Sequence, residues 1–139
     1  MNVFKPFAFL AVLFLLGACS TEVNLESEWK DIPIVYGFIS VQDTAHYVRV
    51  QKAFLEPGGD ALQIAQVSDS IYYDDVAVTL ENRTKGTSFV LERVTGAEEG
   101  IEKEPGLFAT EPHYLYKISA NEAALDGGDV LLLRVDWGF

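Results

Sequence analysis

Apolar positions along the chain fall into two regimes. Pro6 to Leu16 (PFAFLAVLFLL) is an unbroken apolar run, whereas from Ile32 onward apolar residues come in short stretches separated by glycine, proline, asparagine and aspartate. The second regime reads as strands. Ile32 to Val41 (IPIVYGFISV) is β-branched or aromatic on both alternation sets, which predicts a central strand covered on two faces, with Gly37 marking a bulge or a close approach. Ala45 to Phe54 alternates more clearly. His46, Val48, Val50, Lys52 and Phe54 share one face and Tyr47, Arg49, Gln51 and Ala53 the other, as in a half-buried strand entered through a Gln42-Asp43-Thr44 hairpin turn.

Pro57-Gly58-Gly59 breaks this pattern, and Asp60 to Val67 predicts a short helix capped by Asp60, with Leu62, Ile64, Ala65 and Ala61 toward the sheet. Val76 to Arg83 turns Val76, Val78 and Leu80 inward. The turn Thr84-Lys85-Gly86-Thr87 then leads into a strand from Ser88 to Val94. Gly96 to Gly106, with Glu98, Glu99, Glu102 and Glu104, reads as an exposed loop, followed by a short strand from Leu107 to Thr110. His113 to Ser119 and Val130 to Trp137 are the last strands, joined by Asn121 to Asp129 with a turn at Asp126-Gly127-Gly128-Asp129. About six or seven short strands with turns between them predict an all-β fold, an antiparallel immunoglobulin-like β-sandwich over residues 32–139 with one short helix. Gly138-Phe139 reads as the opening of a further hairpin turn. Three readings of that end stay open: a partner strand completes the last edge, the chain is a shortened relative of something longer, or the fold ends on this strand.

Composition alters the picture mainly at the N-terminus. The chain of 139 residues is 49% hydrophobic, enough for one core and too short for two comfortable domains. The run from Pro6 to Leu16 is shorter than the ~20 residues that span a bilayer as a helix, and it follows a lone charge at Lys5, the layout of a signal peptide. It closes on Leu16-Gly17-Ala18-Cys19, which resembles the bacterial lipobox. The resemblance implies a lipoprotein signal peptide over residues 1–18, cleavage before Cys19 and lipidation of its thiol, the soft nucleophile that takes up a diacylglyceryl group. Several acyl chains, at ~0.8 kcal/mol per buried methylene, would hold the protein to a membrane permanently. Residues 19–31 then read as the lipidated cysteine and a flexible polar stalk. Ser20 stands where some inner-membrane lipoproteins carry aspartate, so the resemblance favours the cell outer membrane, with the leaflet undetermined. Of the 10 basic residues one lies before Cys19, and none of the 21 acidic ones does, so the charge moves from −11 to −12 on cleavage. An acidic surface of this kind disfavours nucleic acid as a partner.

The series Pro33 to Ile39, Tyr47 to Phe54, Asp75 to Leu80 and Tyr114 to Ile118 resembles the N-terminal part of uncharacterised Bacteroidetes lipoproteins with an immunoglobulin-like domain of unknown function. The resemblance implies an envelope setting, often beside a TonB-dependent transporter, and carries no catalytic or ligand residues. Members are commonly longer, and the strand expected after the last hairpin is absent here.

Chemistry is sparse. The chain has no Gly-x-Ser-x-Gly elbow or glycine-rich phosphate loop, and its two histidines, His46 and His113, lie far apart and read as surface or edge residues. Cys19 is the single cysteine, so no disulfide forms within the chain. Asp126 and Asp129, with Asn121 and Glu122 nearby, supply a few of the roughly six to eight oxygens that calcium takes, without EF-hand spacing; solvated turns are the plainer reading. Asn82-Arg83-Thr84 reads as a turn. Thr44 and Ser70 sit in Asp-Thr-Ala and Asp-Ser-Ile triplets that resemble Bacteroidetes O-glycosylation sites, both in expected loops. Tyr72-Tyr73, Trp29, Tyr36 and Trp137 offer either core packing or stacking platforms for a sugar. The expectation is a non-enzymatic, cofactor-free interaction or accessory module of the envelope, with a glycan- or calcium-binding surface lipoprotein as the alternative. A third reading, an envelope hydrolase, lacks a positioned nucleophile and base.

Overall fold

A computed structural model of the chain describes residues 32–53 and 60–137. The lipobox, Cys19, the stalk with Trp29, Pro57-Gly58-Gly59 and Gly138-Phe139 lie outside the described residues. The described elements are β1 (Pro33–Phe38), β2 (Ala45–Lys52), α1 (Ala61–Ala65), α2 (Ser68–Ile71), β3 (Val76–Asn82), β4 (Thr87–Val90), β5 (Glu92–Thr95), β6 (Tyr114–Ser119), α3 (Ala120–Ala123) and β7 (Leu131–Trp137). The strands form two antiparallel sheets, one of four strands in the order β1-β2-β6-β5 and one of three in the order β4-β3-β7.

The sheets face each other across the core that the alternation foretold. Val48 and Val50 from β2 and Tyr116 and Ile118 from β6 meet Val78 and Leu80 from β3, all buried. Each such aliphatic side chain, fully removed from water, contributes ~1.5–3 kcal/mol. Around them pack Leu131, Leu133, Val135 and Trp137, the inward row of β7, which stays only partly covered.

Several expectations are corrected. The stretch read as one strand from Ser88 to Val94 is two strands in different sheets: β4 pairs with β3, β5 pairs with β6, and buried Leu91 is the corner, its N–H still donating to the Val78 carbonyl at 2.8 Å. Phe89, Val90 and Leu91 form one continuous apolar run across the switch, so the sequence reads as a single strand there. β1, read as a central strand, is an edge strand, with Tyr36 61% and Phe38 80% exposed. Its glycine marks a close approach without a bulge, since the β1–β2 register is continuous through Gly37 and a Cβ there would meet Val48 Cγ2 at 3.2 Å. Leu107 to Thr110 is not a strand but a run of bends with Leu107 and Phe108 exposed.

α1 is capped as expected, Asp60 Oδ1 accepting the Leu62 N–H at 2.9 Å, but it buries Ala65 and leaves Ala61 and Leu62 in solvent. Two further single-turn helices, α2 and α3, occupy segments read as loops; α3 is capped by the Ser119 hydroxyl on the Glu122 N–H. The histidines are interior residues rather than surface ones. His46 is 1% exposed on the inner face of β2, and His113, 0% exposed, packs directly against the backbone of Gly96.

Candidate functional site

Residues opposite one another on antiparallel strands point to the same face. The β1–β2 register sets Val35 beside Val50 and Tyr36 beside Arg49, and the β2–β6 register sets Tyr47 beside Lys117. Because Val48 and Val50 face the core, Ile34, Tyr36, Phe38, Tyr47, Arg49 and Gln51 form the outer face of the four-stranded sheet. An edge strand apolar on both sides therefore presents aromatic rings to solvent here.

The segment between β5 and β6 folds back over this outer face. Gly96 anchors its start, donating its N–H to the His113 carbonyl at 2.9 Å and accepting the Ile101 N–H at 2.8 Å. Glu99 fixes it to the sheet: its carboxylate accepts from the Tyr47 hydroxyl at 2.7 Å and from Lys117 Nζ at 2.6 Å. The Lys117 ammonium, then the Tyr47 hydroxyl, hold the Glu99 carboxyl below its ordinary range. Farther along, the Ala109 N–H donates to the Ala65 carbonyl at 2.8 Å, and Ala109 packs with Ile71 and Tyr72. The expected exposed loop is thus a tied-down wall.

Between that wall and β1 runs a groove of two hollows. One, about 480 Å³, lies among Ile34, Tyr36, Arg49, Gln51, Lys103 and Phe108; the other, about 400 Å³, lies among Tyr36, Phe38, Tyr47, Arg49, Ile101 and Leu115. They share Tyr36 and Arg49, and each falls within the ~300–1,000 Å³ of small-molecule sites. Three of the chain's 10 basic residues, Arg49, Lys52 and Lys103, line the first hollow, and among the described residues no acidic one does.

The cations are poorly compensated. Arg49 makes no ion pair among the described residues, and its Nε is buried without a hydrogen-bond partner. Lys103 Nζ donates to the Ala109 carbonyl at 2.6 Å and sits 5.6 Å from the Phe108 ring centroid. Burial, and secondarily the positive charge of Arg49, hold the Lys103 ammonium below the ordinary lysine value, against a smaller opposing pull from Glu111. Burial likewise pushes the Tyr72 hydroxyl up, with the Arg49 charge and the Gln51 side chain opposing it. The groove offers cations, a carboxamide and aromatic faces.

The residues singled out from sequence are otherwise placed apart. Thr44 is exposed in the β1–β2 turn, whereas Ser70 is half-buried in α2 rather than in a loop. Tyr72 and Tyr73 are core residues, and Tyr36 is the exposed platform. In the Asp126–Asp129 turn the position of a cation is taken by Lys85, whose Nζ lies 2.7 Å from Asp126 and 3.4 Å from Asp129. Asp129 also accepts from Asn82 Nδ2 at 2.7 Å and from the Asp126 N–H at 2.9 Å. Among the described residues no three His, Cys, Asp or Glu side chains converge to hold a metal ion, and no helix is long and apolar enough to cross a membrane. Arg49 and Lys103 were not singled out from sequence; the available signal was an arginine on the outer face of a strand whose neighbours there are aromatic.

No protein-family model, curated protein or solved structure matches the chain. Its class rests on architecture: a two-sheet antiparallel β-protein with an aromatic and cationic groove on one outer face.

Proposed function

We propose that the chain is a non-enzymatic interaction module of the cell envelope, tethered to the outer membrane through lipid on Cys19 and built as an immunoglobulin-like sandwich. The observation that carries the reading is the edge of β7, which is unpaired on one side among the described residues. In immunoglobulin order, β1-β2-β6-β5 corresponds to strands A-B-E-D and β4-β3-β7 to C′-C-F, which leaves the place beside F for a further strand. Among the described residues β7 has one neighbour, β3.

The ladder supports strand addition there. The Arg83 N–H donates to the Val130 carbonyl at 2.8 Å, and Arg83 and Val130 continue the Asn82–Leu131 register. Alternation then directs the backbone groups of Leu132, Arg134 and Asp136 toward β3, and those of Leu133 and Val135 toward the open side. The inward side chains of Leu131, Leu133 and Val135 are incompletely covered, as is Val35 on the facing sheet, 39% exposed although its register partner Val50 is buried. A strand added antiparallel to β7, with apolar residues at alternate positions, would pair the backbone groups of Leu133 and Val135 and cover the inward side chains. An envelope protein such as a TonB-dependent transporter would supply it.

The test has two arms in producing cells. A photo-crosslinking residue at Asp136 should give one discrete adduct that depends on Cys19, whereas the same residue at Glu122, on α3, should give none. Fatty-acid labelling should vanish in Cys19→Ala. Labelling that survives the substitution would overturn the anchor, and absence of an adduct at Asp136 would overturn the edge.

A further inference from the structure

We propose that the groove over β1 and β2 binds a small ring-bearing carboxylate, its carboxylate between Arg49 and Lys103 and its ring against Tyr36 and Phe108. This deepens the reading of the chain as a binding module by assigning a ligand class to a surface away from β7.

Three observations converge on it. The first is an unexplained cost: a guanidinium with a buried, unbonded Nε is a polar group that folding alone leaves unsatisfied. Arg49 carries a planar fork of donors that matches a carboxylate in two-point fashion, and no carboxylate among the described residues is paired with it. The second is the pairing of like charges. Lys103 is brought into the same hollow as Arg49 in a chain of net charge −11, where 21 acidic residues were available to neutralise either. Glu111, the carboxylate that acts on Lys103, bonds His113 Nδ1 at 3.1 Å instead. Two cations in one pocket repel until an anion sits between them, and the lowered proton affinity of Lys103 reports that repulsion together with burial.

The third is shape. The hollow of about 480 Å³ is walled by Ile34, Tyr36 and Phe108, with Gln51 the neutral polar group at hand. Tyr36 is 61% exposed, so its ring is available to a flat or chair-shaped body rather than spent on packing. Inorganic anions would use the cations and waste the walls. Sugar acids and aromatic acids share the chemistry that uses both, and experiment separates them.

The test is isothermal titration calorimetry on the full chain in neutral detergent. The probes are galacturonate and phenylacetate, each beside its neutral counterpart, galactose and phenylacetamide, at ligand up to ~10 mM. At least one acid should bind and its neutral counterpart should not; which acid binds identifies the source. Arg49→Gln and Lys103→Gln should each weaken binding about tenfold or more, the loss of one charge-assisted hydrogen bond. Arg49→Lys, which keeps the charge and loses the fork, should fall between. Anion binding should also drive proton uptake at alkaline pH that disappears in Lys103→Gln, a signature no merely structural lysine would give. Unchanged circular dichroism guards the variants against misfolding. Equal binding of an acid and its neutral counterpart, undiminished binding by Arg49→Gln, or no heat from either acid would overturn the proposal. Failure here leaves the Cys19 and β7 tests untouched, and their failure leaves this one standing.

Discussion

Gly96→Ala isolates the contact that holds the groove wall in place. A methyl carbon on Gly96 would lie 1.8 Å from His113 Nε2, 1.9 Å from His113 Cε1 and 2.6 Å from the Ile101 carbonyl oxygen. Ordinary carbon contacts are ~3.5–4.0 Å, so the imidazole would have to retreat by more than ~1.5 Å. It has nowhere to go: the ring is 0% exposed, and its own residue is tied to Gly96 through the N–H to carbonyl bond at 2.9 Å. Overpacking of this kind costs about 1–3 kcal/mol, occasionally more, and the double clash puts this site at ~3 kcal/mol. For a domain of ~100 residues, at roughly 4–8 °C per kcal/mol, the expected loss in Tm is about 12–24 °C. Thermal denaturation followed by circular dichroism measures it. Adding Gly96→Ala to His113→Ala should cost less than half as much, because the imidazole is gone and only the Ile101 carbonyl remains to be displaced. A Tm within ~2 °C of the parent, or one penalty regardless of His113, would refute the reasoning.

Other perturbations separate core from groove. Leu80→Ala, at the centre of the inter-sheet core, should cost about 2–5 kcal/mol in urea denaturation, whereas Phe38→Ala on the exposed rim should stay within ~0.5 kcal/mol. Asn82→Ala removes a buried amide that accepts from the Thr84 N–H at 3.1 Å and the Lys85 N–H at 3.0 Å and donates to Asp129; a loss of about 1–3 kcal/mol is expected in the same assay. Acid should destabilise the fold through carboxyls whose folded pKa values lie below their unfolded ones. Glu99 is held down first by Lys117 and Asp129 first by the Asp126 N–H, with Glu81 held by Arg134 and Glu98 by the Thr95 N–H. Such groups add stability above the unfolded value, ~4, and surrender it as pH falls through the folded one. The urea midpoint should therefore drop below pH ~4, and Glu99→Gln should lower it at neutral pH while flattening the acid limb; an unchanged limb would exonerate Glu99.

Where burial followed a simple period, the sequence was legible. The inward sets Val48, Val50 and Val78, Leu80 fall as alternation places them, and the Asp60 cap forms as its residue type requires. What escaped depends on long-range geometry. Leu91 changes sheets inside a continuous apolar run, so β4 and β5 read as one strand. His46 and His113 read as surface residues by type, while their burial follows from neighbours distant along the chain, such as Gly96 against His113. Arg49 and Lys103 are 54 positions apart, brought together because Glu99 pins the connecting segment over the sheet. No local pattern encodes that closure.

The misreading of β1 is the most informative, because the two faces of that strand failed for different reasons. Apolar residues on both alternation sets normally mean burial on both sides. Here Val35 points inward and is still 39% exposed, while Tyr36 and Phe38 point outward into the groove. One edge strand thus borders both proposed sites. Charge separates them. The groove concentrates Arg49, Lys52 and Lys103 within an otherwise acidic molecule, and with a Debye length of ~8 Å at physiological salt the surrounding carboxylates repel an approaching anion only at close range. Anion binding in the groove should therefore strengthen or hold steady as salt rises from low to physiological levels, the reverse of binding to a basic surface. Calorimetric titrations at both ionic strengths test this, and a steep loss with salt would show that the local cations, not the net charge, govern the approach.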